Sequence, residues 1–168
     1  MTLEGLISNV QAVADGLQNG SMVRNVVSKH GSAILDLQKY QLLQGKRSRG
    51  DDMRPYYSED LQPQGYFKST ESAKRYADWK QTLSYPRSAD RNADAPNLYI
   101  NGKFHNDLDV TFGTDSVTID GGTVYGKMIV AKYGIGSFGL TAENWSKVFF
   151  EFGAYNELLN EVKNQLFS

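Results

Sequence analysis

The chain has 168 residues, 40% of them hydrophobic and 12% aromatic, enough apolar material for one packed domain spanning 1–168. A formal net charge of −1 excludes a protein whose whole surface coats nucleic acid, because that role needs a broad basic field. The lack of cysteine removes disulfides, thiolate zinc sites and cysteine nucleophiles together.

The opening stretch MTLEGLISNVQAVADG carries acidic residues and no basic start, so it does not read as a secretory signal. No apolar run approaches the ~18–20 residues of a membrane span, and a soluble protein made in a cytoplasm is expected. Leu3, Leu6, Ile7, Val10, Val13 and Leu17 recur at helical spacing, with Gly16 and Asn19-Gly20 as the stop. Ser21 is placed to cap a second helix bearing Val23, Val26, Val27, His30, Ile34, Leu37 and Gln41 on one face. Gly31 falls inside that pattern, where a bend or pause is expected. Together these elements predict a helical hairpin.

Residues 44–65 are Gly-, Pro- and charge-rich without a period and read as a long loop. Ser69 or Thr70 opens a short helix that stacks Ala73, Tyr76, Ala77, Lys80 and Leu83 and stops at Pro86. A second polar loop covers about 86–97. Leu108, Val110 and Phe112, then Val117 and Ile119, alternate with polar residues around Gly113-Thr114-Asp115, which is a β-hairpin ended by Gly121-Gly122. Residues 123–133 fit either a helix or a strand. Gly134 to Gly139 matches the GxGxxG string without a βαβ unit around it and reads as a flexible connector. Thr141 opens a long helix with Trp145, Val148, Phe149, Phe152, Tyr155, Leu159, Val162 and Leu166 as its stripe. Continuous to Phe167, it spans ~40 Å at 1.5 Å per residue, and part of its stripe is expected to meet another subunit. The fold class that follows is α+β: an N-terminal helical hairpin, a small antiparallel hairpin or sheet, and a long C-terminal helix.

Catalytic constellations are missing from the residue order: there is no nucleophile elbow, HExxH or P-loop. His30 reads as a satisfied core histidine. His105, beside Asp107 and Asp109, has no coordination spacing, so neither an enzyme nor a metal or cofactor is expected. Lys46, Arg47 and Arg49 form a compact basic loop followed by Asp51-Asp52, either a solvated turn or a tip for an acidic neighbour or DNA. The Tyr56-Tyr57 corner opens an aromatic middle interleaved with basic residues, which suits protein interfaces and single-stranded nucleic acid alike. In Leu98-Tyr99-Ile100-Asn101-Gly102-Lys103-Phe104, Gly102 permits a tight bend and Phe104 anchors the following strand.

The order of these words, ILDLQKYQLLQGKRSRG, then YYSED, then a Lys-rich stretch, then APNLYINGKFHNDLDVTF, covers roughly half of the chain. It resembles small virion-assembly proteins of tailed phages that infect Bacteroides-type hosts, crAss-like phages included. In these a DL-x-QL…G…YS…K…(P)-(D/N)-L-x-x-(T/N)-G-x-F layout occurs in head-tail connector or tail-completion genes. Within that layout this chain takes Asn101 rather than Thr and a neutral Asn97 rather than an acidic residue. The resemblance implies a structural virion protein at the neck or tail, forming a ring layer and part of the genome conduit. Its implied partners are copies of itself, adjacent portal, neck or tail-tube proteins, and transiently genomic DNA, with no membrane. The interface residues expected are Lys46, Arg47, Arg49, Tyr56, Tyr57, Asn101, Gly102, Phe104, Phe152, Tyr155 and Leu159. The alternative is a non-virion, phage-encoded binding module for nucleic acid or a host protein.

Overall fold

The computed structural model describes residues 2–55, 67–83, 96–121 and 124–168. The readings that fall on Tyr56, Tyr57, Pro86 and Gly122 lie outside the described residues. The fold is α+β, mostly helical, and the sheet among the described residues is a single two-stranded hairpin. The chain divides into two compact units, Met1–Ile34 with Val110–Thr118 and Glu143–Ser168, and Leu35–Asp109 with Ile119–Ala142.

In the first unit, α1 (Leu3–Gln18) starts at Thr2, whose Oγ1 accepts the Gly5 N–H at 3.1 Å. The helix runs through Gly16, which does not stop it. That glycine is buried, and a Cβ there would lie 2.7 Å from Met22 Cγ, so it serves the close approach of α1 to α2 (Ser21–Ser28). Ser21 is not the cap expected of it. Gly20 holds that position at φ 73°, and the Ser21 hydroxyl turns back to the Gly16 carbonyl at 3.4 Å. Helical geometry then pauses at Lys29-His30 and restarts in α3 (Gly31–Leu43), so the pause expected near Gly31 is a full break.

The hairpin of β1 (Asp109–Phe112) and β2 (Val117–Asp120) matches the sequence pattern, its turn closed by the Gly113 N–H donating to the Ser116 carbonyl at 2.8 Å. Asp109, Thr111, Thr118 and Asp120 are exposed while Val110, Phe112, Val117 and Ile119 turn inward. The C-terminal run is helical but not continuous. It consists of α7 (Ala142–Ser146), a π-helical turn over Lys147–Glu151, and α8 (Ala154–Leu166). The Phe152 N–H closes the wide turn on the Lys147 carbonyl at 2.9 Å, and Gly153 at φ 89° starts the helix afresh. α8 packs on α1 and α2. There Asn9 Nδ2 donates to the Leu166 carbonyl at 3.3 Å, and Glu157 faces His30 Nε2 at 3.3 Å.

The second unit is built around Leu42, Met53, Phe104, Leu108 and Tyr133, with Leu35, Leu98, Ile129 and Phe138 packed against them. α4 (Thr70–Gln81) opens with a reciprocal pair: Ser69 Oγ accepts from the Ser72 N–H at 3.2 Å and the Ser69 N–H donates to Ser72 Oγ at 3.1 Å. Its inward stripe buries Ala73 and Lys80. The short α5 spans Lys103–Asn106, and the ambiguous stretch becomes α6 (Val124–Tyr133).

The 134–139 connector is hydrogen-bonded to the rest of its unit. Two buried glutamines of α3 hold it: Gln38 Oε1 accepts from the Gly139 N–H at 2.9 Å, and Gln41 Nε2 donates to the Gly139 carbonyl at 2.8 Å. Gln41 Oε1 also accepts from the Thr141 N–H at 2.9 Å, and the Ser48 N–H donates to the Gly136 carbonyl at 2.8 Å.

Candidate functional site

The basic segment is an ordered turn rather than an unstructured loop. The Arg47 N–H donates to the Asp51 carbonyl at 2.8 Å, and the Met53 N–H donates to the Gly45 carbonyl at 2.7 Å. Lys46 and Asp52 form an antiparallel bridge. The acidic pair folds back on the basic one, with Lys46 Nζ 2.7 Å from Asp52 Oδ1 and Arg47 paired to Asp51. Arg49 stands exposed at the tip, while Met53 seats the turn in the core. Local pairing therefore spends most of the charge that the sequence offered to DNA or an acidic neighbour.

Asn101, Gly102 and Phe104 separate in role. Asn101 is exposed, and its Oδ1 accepts from the Lys103 N–H at 3.1 Å. Gly102, at φ 81°, begins α5, and a Cβ there would touch the Tyr99 ring at 3.3 Å. Phe104 is buried, but it anchors the short helix α5 ahead of the strand rather than the strand itself. Tyr56 and Tyr57 lie outside the described residues.

Phe152, Tyr155 and Leu159 are on the surface at 44%, 47% and 39% exposure, beside Phe150 at 68%. A second apolar stripe, to which the sequence reading gave no role, runs along α1. Leu3, Ile7, Val10 and Leu17 are 74%, 61%, 51% and 43% exposed, whereas Val13 and Gly16 on the inner face are buried. The outer positions, completed by Ala14, advance by alternating steps of four and three residues. That is the spacing of a helix-packing seam, and it was visible in the sequence as a second face beside the buried one. The ionisable residues of α1 are Glu4 and Asp15, so no basic side chain from this helix stands beside the stripe.

The second unit contains a cavity of about 300 Å³. Tyr76, Leu98, Phe104 and Ile129 give it apolar walls, and Lys80, Lys103 and Lys132 reach it. Burial pushes Lys80 down from the ordinary lysine range to about 8 and lowers Lys132 as well. Nearby, His105 is packed against the Tyr99 and Phe104 rings, each with centroids 5.4 Å away. Burial first, then Lys80 and Lys39, push it down to about 4 against an opposing hydrogen bond that the imidazole donates to the Asn97 backbone. Among the described residues, the charges that lower its proton affinity are those of Lys80 and Lys39. Among the described residues no group of three His, Asp or Glu side chains converges to hold a metal ion, and no helix is long and apolar enough to cross a membrane.

Comparison with known proteins gives no matching family model, no matching curated protein and no matching solved structure.

Proposed function

We propose that this protein is a structural virion component of a tailed phage, a ring layer at the neck or tail that carries part of the genome conduit. The observation that supports the reading is the pair of exposed apolar groups, Leu3-Ile7-Val10-Leu17 on α1 and Tyr155-Leu159 on α8 with Phe152 just ahead of it. Large apolar side chains grouped on helices of a small protein mark interaction surfaces, and aromatic residues among them are common anchors. The resemblance of its sequence words to connector and tail-completion proteins suggests the biological setting. In a closed ring each copy offers one face to the next, so two different faces per copy are the minimum that a head-to-tail interface requires. The self-paired Lys46-Asp52 turn points the same way, toward protein contact in preference to a strongly basic DNA clamp.

Mass spectrometry of purified particles, with chemical cross-linking, tests the proposal. A fixed copy number and cross-links from α1 or α8 to a second copy, a portal protein or a tail protein are expected. Expression during infection combined with absence from particles would overturn it and favour the non-virion binding module.

A further inference from the structure

We propose that the α4 face of the second unit binds single-stranded nucleic acid, stacking bases on an aromatic row and holding phosphates with the cations beside it. This goes beyond the virion reading, and either can fail alone.

The first observation is the row itself. The Phe67 and Tyr76 rings lie with centroids 5.4 Å apart, and Tyr76 stands at the same distance from Trp79. Tyr76 and Trp79 come from one turn of α4, and Phe67 reaches them from the segment ahead of it. Trp79 is 45% exposed, so the fold leaves much of this indole in water. An exposed indole braced by a second ring is a platform for a base, because every base offers a flat π face whatever its identity. Tyr76 also lines the cavity of about 300 Å³, whose apolar walls give a second, unstacked base a place beside the row.

The second observation is charge. Arg75 is four residues ahead of Trp79, one turn away on the same side of α4. Lys68 follows Phe67 directly, and Lys103 lines the cavity together with Tyr76. All three are exposed, and none forms an ion pair among the described residues. Lys80 is buried and Lys132 lies over the Phe67 and Tyr133 rings at 5.2 and 5.3 Å, so both are already engaged within the protein and neither is counted. The carboxylates of α4, Glu71 and Asp78, fall five and two residues from Tyr76, which helical spacing sets on the far side of the helix. Residues 67–83 carry Lys68, Lys74, Arg75 and Lys80 against those two acids, a local basic surplus in a chain of net charge −1.

The combination selects the partner. An acidic peptide neutralises the cations and leaves the indole without a flat partner. A duplex neutralises them as well, but its base faces are stacked inside. A single strand supplies phosphates and open base faces together.

The test is titration of the full chain with a dT oligonucleotide of about twelve bases, with an equal-length duplex and polyglutamate as probes. An rU oligonucleotide run alongside tells RNA from DNA, and tighter binding of either single strand supports the proposal. The chain has two tryptophans, so a Trp145→Phe background makes indole fluorescence report on Trp79. The single strand is expected to quench that fluorescence and to bind at least about tenfold more tightly than the duplex or polyglutamate. With three phosphates held, log K is expected to fall against log salt with a slope of about −2. Trp79→Ala, read by anisotropy of a labelled oligonucleotide, is expected to weaken binding about tenfold or more and to leave that slope in place. Arg75→Gln is expected to reduce the slope by about 0.7. Both positions are exposed, and circular dichroism checks that the variants keep their helix content. The proposal is overturned by an unquenched indole, by duplex or polyglutamate binding as tightly as the single strands, or by a Trp79→Ala protein with the parental affinity. Polyglutamate as the tightest ligand would assign the face to an acidic protein instead. Particle mass spectrometry reports separately on the virion reading.

Discussion

Replacing Gln41 by Met tests whether the α3 glutamines, and not loop composition, fix the 134–141 connector. Gln41 is 3% exposed and makes two hydrogen bonds from one amide, to the Gly139 carbonyl at 2.8 Å and from the Thr141 N–H at 2.9 Å. Methionine preserves length and flexibility but makes neither bond. Each lost bond costs about 0.5–1.5 kcal/mol net, and more where the abandoned backbone group stays shielded from water. The expected destabilisation is about 2 kcal/mol, with methionine's better transfer into the interior offsetting a part. Gln38→Met is the control. It loses one bond, from the Gly139 N–H at 2.9 Å, and it also removes a buried Nε2 that has no hydrogen-bond partner among the described residues. Its expected cost is therefore small, about 0.5 kcal/mol. Both side chains act on the Gly139 peptide, so the double variant is expected to depart from additivity. Urea unfolding followed by circular dichroism gives the free energies, and amide exchange at Gly139 and Thr141 shows whether the loss is local. A Gln41→Met protein with the parental urea midpoint and a still-protected Thr141 amide would refute the clamp.

Lys80 takes its proton at about 8 when folded and 10.5 when unfolded, so between those values the unfolded chain holds more protons and stability rises with pH. The rise is expected to be on the order of 2–3 kcal/mol and to flatten in Lys80→Met, measured as urea midpoints from pH 7.5 to 10.5. His105 has the same sign in an acidic window. The unfolded chain protonates near 6.5 and the folded one near 4, so stability declines as pH falls from 6.5 to 4, and His105→Leu removes that part of the decline. NMR of the imidazole carbons gives the direct check, with no titration expected between pH 5.5 and 8. Gly153→Ala is expected to cost about 1 kcal/mol in thermal unfolding, with Gly153→Asn costing less. Among the described residues beyond its chain neighbours, no atom lies within 4 Å of the position its Cβ would take, so the φ of 89° is what resists the change. Ile7→Lys is expected to leave stability within about 0.5 kcal/mol yet reduce incorporation into particles, read by quantitative mass spectrometry.

What the sequence revealed depends on whether a residue's partner is near it in the chain. The hairpin was legible because Val110, Phe112, Val117 and Ile119 alternate around a turn whose own backbone closes it. The start of α4 was legible for the same reason, since Ser69 and Ser72 bond each other. The sequence pattern put Lys80 on the side of Ala73, Tyr76 and Ala77, and the structure buries it there. The glutamine clamp was not legible: the helical period puts Gln41 on the apolar face, but nothing near it in the chain names Gly139, about a hundred residues later, as its partner. Gly153 was missed because the apolar period runs straight through it, from Phe149 and Phe152 to Tyr155, and period is blind to one left-handed residue. The Lys46–Asp52 turn looked like a solvated basic loop because its pairing is charge on charge, which composition records as two adjacent opposite runs.

The apolar residues of α1 show why periodicity locates a surface without saying what covers it. Both faces of this helix are apolar at helical spacing, yet only one is used by the fold. Val13 and Gly16 are buried, Met22 of α2 closes on that face, and Asn9 reaches α8. An isolated helix of 16 residues is marginal in water, so these inward contacts are what hold α1 in place. Leu3, Ile7, Val10 and Leu17 add little to that stability while they remain in water. Burying a leucine or isoleucine fully is worth about 1.5–3 kcal/mol, so covering this stripe would release several kcal/mol that folding alone does not collect. The surplus is available only to an encounter with another surface, which makes folding and association separable at single residues. Changes at Val13 or Gly16 act on the fold, whereas changes at Ile7 or Val10 act on whatever covers the stripe.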